Sequence, residues 1–85
     1  MPTIAFFSGI TIRMYFIRSE HHPPHVHASY GGRTAEISIR EGNVLEGMLP
    51  LRILNKVRTR GRIHQSELLH IWETQEFHRI ENPDF

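Results

Sequence analysis

The chain has 85 residues and no cysteine. That absence excludes disulfide staples and thiolate metal sites, and it fits a reducing compartment. No apolar run reaches the length of a membrane span, and the N-terminus lacks the charged segment, apolar stretch and small-residue cleavage site of a secretory leader. The expectation is a soluble cytoplasmic protein with no membrane partner. Neither sign of charge dominates, the net value being +1, so overall charge argues for no particular partner. Internal repeats are absent as well. The length suits one domain over residues 1–85 with a single modest core.

What is present is local. Four of the seven histidines and two of the five prolines fall within His21-His22-Pro23-Pro24-His25-Val26-His27. Adjacent prolines fix their own φ and keep the residue before them out of the helical region, so the segment enters the next element extended. His25 and His27 then stand two apart on a strand, both imidazoles on one face and Val26 on the other. Histidine titrates closest to neutral pH, and its neutral form is the commonest metal ligand. Proton transfer and metal binding are therefore the two sharp readings, and a solvated hairpin face is the plain one.

The first part of the chain, about residues 3–46, reads as strands. Ile4 to Phe7 and Ile10 to Ile17 are β-branched and aromatic runs split by Ser8-Gly9, a hairpin signal. In the second run Ile10, Ile12, Met14 and Phe16 share one face, with Thr11, Arg13 and Tyr15 on the other. This hairpin sets Ile4 and Phe6 on the polar face beside Arg13, which points to a homodimer contact or another protein there. Gly31-Gly32 offers a two-residue turn that pairs Tyr30 with Arg33, Ala28 with Ala35, His27 with Glu36, Val26 with Ile37 and His25 with Ser38. In that register Val26, Ala28, Ala35, Ile37 and Ile39 make an apolar face, while His25, His27, Ser29, Thr34, Glu36 and Ser38 make a polar one. A slip of one residue would mix the two. Glu41-Gly42 turns the chain into a short strand around Asn43 to Glu46.

Leu49-Pro50 closes the strand region and opens helix, since proline suits the first helical position. Leu51, Ile53, Leu54 and Val57 form one apolar stripe, and Gly61 is expected to end or bend that helix. A second helix over about His64 to Phe77 presents Leu68, Leu69, Ile71, Trp72 and Phe77. The fold class is α+β: an antiparallel sheet of about four strands, with the two C-terminal helices (about residues 50–77) packed on one face and the histidine face open.

Cross-strand pairing puts Glu36 opposite His27, where a carboxylate favours imidazolium and orients the ring. With Arg13 and Tyr15 on the neighbouring strand, the face holds the parts of a metal-independent ribonuclease: a base, an acid, and a cation for the phosphate. Such a site needs no cofactor. In the alternative, His21, His22, His25 and His27, aided by Glu36, hold Zn²⁺ or another transition metal. Further along, Arg52, Lys56, Arg58, Arg60 and Arg62 place five of the ten Lys and Arg residues in a stretch without acids. Of these, Arg52, Lys56 and Arg60 recur every four residues along one helix side, where they would track an RNA backbone. The plain reading of that stripe is a solvated helix face.

The set Pro23-Pro24-His25-Val26-His27, Tyr30-Gly31, Ala35, Ile37, Gly42, Gly47, Leu49-Pro50 and Trp72, with the opening Met1-Pro2-Thr3-Ile4, resembles a small bacterial family known only as domain of unknown function 4160. The likeness runs from Thr3 to about Glu76. It departs at His22, where Asn is commoner, at Val26, where Phe is usual, and at Thr59 to Gly61, where the family continues an apolar helix. The resemblance implies a partner protein of the domain of unknown function 2442 type from a neighbouring gene, in a toxin–antitoxin-like pair. It implies no established activity. The expectation is a protein acting on or binding RNA through the His25, His27, Glu36, Tyr15 and Arg13 face. The alternatives are a non-enzymatic protein-binding module and the metal site.

Overall fold

Alternation of apolar and polar residues dictates a one-sided sheet, and the computed structural model, which describes residues 2–15 and 23–80, has that form. His21, His22 and Phe16 lie outside the described residues. Five strands, β1 (Thr3–Phe7), β2 (Ile10–Arg13), β3 (His25–Tyr30), β4 (Arg33–Ser38) and β5 (Val44–Gly47), are followed by two helices, α1 (Leu51–Ile63) and α2 (Gln65–Thr74). The strands form one antiparallel sheet in the order β1-β2-β3-β4-β5, one strand more than expected.

The central hairpin has the expected register, from Tyr30 opposite Arg33 to His25 opposite Ser38. Gly31 and Gly32 supply the positive φ values, 55° and 81°, that a two-residue turn between right-twisted strands requires. Ile10, Ile12, Met14, Val26, Ala28, Ala35, Ile37 and Ile39 are all buried on one face. They form a single core with Ile53, Leu54 and Val57 of α1 and Leu68, Ile71 and Trp72 of α2, so the helices cover the apolar side.

Ile4 departs from its expected place. Thr3 pairs with Arg13 but Ala5 pairs with Ile12, a bulge that inserts Ile4 as an extra residue. Both Ile4 and Ala5 therefore turn inward, and Ile4 is fully buried. Phe6 alone stays on the polar face, opposite Thr11 and 58% exposed.

The helices also differ in detail. Leu51 is exposed rather than part of the buried stripe. Pro50 stands at the N-cap, one residue before the helix, and its carbonyl accepts from Ile53 and Leu54 N–H. Gly61 stays helical, the roughly 1 kcal/mol deficit of glycine against alanine being offset by the docking of the helix on the sheet. The break falls at His64, whose N–H still reaches the Arg60 carbonyl while its own carbonyl accepts from Leu68. α2 ends sooner than expected because Gln75 adopts φ 57°, a left-handed cap bonded to the Ile71 carbonyl.

Two polar ties fix the helices to the turn after β4. Arg58 Nε donates to the Gly42 carbonyl at 2.7 Å, and Gln65 Nε2 donates to the Ile39 and Arg40 carbonyls at 3.1 and 2.9 Å. Beyond α2 the chain returns to β1, where Ile80 is buried and its N–H meets the Ile4 carbonyl at 2.7 Å.

Candidate functional site

One row of side chains crosses the polar face from edge to edge. The pairings place Thr3, Arg13, His27, Glu36 and Glu46 side by side on successive strands. The row thus runs from a cation through an imidazole to two carboxylates. Glu46 was not among the residues expected here, since a short strand gives little periodicity to place it.

His25, His27 and Glu36 converge, all three half-buried. One ligating atom from each lies within 4.8 Å of the other two. His27 Nε2 is 3.6 Å from Glu36 Oε1. The two imidazole rings are 5.2 Å apart, and Tyr15 meets His27 edge to face at 4.2 Å. Arg13 faces His27 across the β2–β3 ladder. The structure therefore brings together all five residues proposed for this face.

His25 Nδ1 lies 2.9 Å from the Pro23 carbonyl oxygen. A carbonyl can only accept, so Nδ1 carries the proton, and in the neutral ring the Nε2 lone pair serves as base or ligand. The double proline supplies this oxygen by holding the chain extended just ahead of the strand.

Burial holds the pKa of His27 below its ordinary value of 6.5. Glu36 and Glu46 pull it the other way and His25 adds to the lowering, but desolvation is the largest influence. The expected imidazolium is therefore not the outcome: taking the ring out of water outweighs the carboxylate beside it. At neutral pH His27 is an uncharged imidazole next to a carboxylate.

The face is less open than expected at one end. Trp72 of α2, buried in the core, brings its ring to 5.0 Å from that of His25. Helical spacing identified Trp72 as core, but a periodicity within one helix cannot show which strand end it abuts. At the other end His27 and Glu36 border a shallow depression of about 280 Å³, completed by Thr34, Glu46 and Gly47.

Residues 9–73 match a family profile described as Domain of unknown function (DUF4160). The chain belongs to the DUF4160 family. No curated protein and no solved structure matched it. The matched span takes in β2 to β5, α1 and nearly all of α2, and with them Arg13, Tyr15, His25, His27, Glu36 and Glu46.

The basic stripe is divided by its tertiary contacts. Arg52 and Lys56 are exposed, whereas Arg60 lies half-buried with its guanidinium 5.1 Å from the Phe7 ring centre. Arg58 is tied to Gly42. Since α1 covers the apolar side of the sheet, Arg52 and Lys56 do not share a surface with the histidines. Among the described residues no helix is long and apolar enough to cross a membrane.

Proposed function

We propose that this DUF4160 protein holds one transition-metal ion, Zn²⁺ or a chemical neighbour, on His25 Nε2, His27 and Glu36, and uses it to activate water for hydrolysis. The observation that carries this reading is the convergence of two imidazoles and a carboxylate from β3 and β4. Metal–ligand bonds of about 2.0–2.1 Å set ligand atoms roughly 3.4 Å apart around a tetrahedral ion. One ligand atom of each residue already lies within 4.8 Å of the other two, and His27 Nε2 and Glu36 Oε1 are 3.6 Å apart. Three further facts support it. Burial keeps His27 neutral, as ligation requires. The Pro23 carbonyl orients His25 in the manner of an outer-shell partner. Two carboxylates against one arginine in the row favour a cation over a phosphate. Three protein ligands leave a coordination position for water, whose pKa the ion lowers, and Arg13 stands beside the site to hold an anionic substrate group.

The test uses protein purified without an affinity tag, analysed for metal and then titrated with Co²⁺, whose visible spectrum reports coordination number and ligand type. Binding near one equivalent that His25→Ala, His27→Ala and Glu36→Gln each weaken is the expected result. Failure to bind either ion with the fold intact overturns it.

A second reading, favoured by Arg13 and Tyr15 flanking His27, is metal-independent cleavage of RNA within a two-gene, toxin–antitoxin-like module. It predicts growth arrest and RNA cleavage that persist in chelator and disappear in His25→Ala and His27→Ala.

A further inference from the structure

The basic stripe holds a feature that neither reading uses. Between the turn after β4 and the junction of α1 with α2 lies a recess of about 50 Å³. Arg40 from the turn and Arg58 and Arg62 from α1 line it, beside Gln65 and over a floor that includes Val26 and Val57. Successive helical positions would spread Arg58 and Arg62 along a solvated face, but Arg40 joins them from a separate segment, so the grouping is a product of the fold.

We propose that this recess binds a phosphate dianion, either free or as the terminal group of a phosphate monoester. Among the described residues no carboxylate forms an ion pair with Arg40, Arg58 or Arg62. Glu41 also lines the recess; its carboxylate accepts from the Asn43 amide at 2.9 Å and leaves one negative charge against three guanidinium groups. The recess is also held in shape. Arg58 spends one of its five donors on Gly42, which fixes the plane of the guanidinium, and Gln65 clamps the turn that carries Arg40. Guanidinium groups match phosphate oxygens with paired, charge-assisted hydrogen bonds, and an apolar floor strengthens them by lowering the local dielectric.

Two sources share this chemistry, inorganic phosphate and the terminal phosphate of an oligonucleotide, and the experiment separates them. Thermal unfolding is followed with inorganic phosphate against chloride of matched ionic strength. Binding of a short oligoribonucleotide with a 5′-phosphate is compared with its 5′-hydroxyl twin. The expected results are a phosphate-specific rise in Tm and loss of that rise in Arg40→Gln/Arg62→Gln. If the terminal phosphate is the natural ligand, the 5′-phosphorylated oligonucleotide binds at least about tenfold more tightly than its twin, the equivalent of one charged hydrogen bond. Equal binding of the twins with a phosphate-specific Tm rise assigns the recess to the free anion. Should the double variant lose its fold, Arg40→Gln alone, an exposed change on a turn, serves in its place. A Tm no more responsive to phosphate than to chloride, together with equal binding of the two oligonucleotides, overturns the proposal, as does an unchanged response in the folded variant.

Discussion

Replacing Gly47 by alanine tests the closeness of β5 to β4. Gly47 has φ 83°, and a Cβ there would collide with the Thr34 carbonyl oxygen and crowd Ala35 Cα. Gly32 has nearly the same φ, 81°, but a Cβ there would meet no atom within 4 Å. Both alanine variants incur the left-handed penalty of about 1–2 kcal/mol. Only Gly47→Ala must also displace a strand to make room for a methyl group, a further ~1–3 kcal/mol. Against a total stability of about 4–13 kcal/mol for a chain of this length, the total loss is severe. Thermal unfolding of the two variants side by side should separate their midpoints by roughly 5–20 °C, Gly47→Ala being the lower. Equal losses would refute the close approach and with it the position of Glu46 beside Glu36.

Three more predictions follow from particular contacts. Because burial lowers the pKa of His27 in the folded state, the unfolded chain takes up that proton first as the pH falls. The stability associated with His27 is complete above its ordinary 6.5 and is lost as the pH drops from there toward the folded-state value, so urea midpoints should show a smaller acid loss in His27→Gln than in the wild type. Ile80→Ala removes a core side chain beyond the last helix and should lower stability by about 2–5 kcal/mol in denaturant titration; an effect within error would detach that segment from β1. Gln65→Ala leaves the Ile39 and Arg40 carbonyls without their amide and should lower stability by about 1–2 kcal/mol, with faster hydrogen exchange around residues 38–42 as the local signature.

Much of the site was legible because it rests on a hairpin whose turn and both faces agree. Gly31-Gly32 fixes the register, and with it the neighbours of His27. Ile4 was misplaced because strict alternation cannot register an inserted residue, and the bulge reverses every facing beyond it. Trp72 and Ile80 show the other limit. The helical stripe that identified the tryptophan holds no information about His25, and an isolated isoleucine after a helix belongs to no pattern at all. The arginines fail in a third way: helical periodicity predicts which of them share a side, but Phe7 and Gly42, both distant in sequence, decide where Arg60 and Arg58 turn.

The strand order has a consequence for how the chain comes together. Every strand pairs only with its neighbours in sequence, so the whole sheet can zip up by short loop closures, none of which waits for a distant segment. During synthesis the sheet precedes the helices that shield its apolar face. A sheet that forms before the helices dock therefore presents an uncovered apolar surface, and the clasp of Ile80 on Ile4 is the last connection available to form.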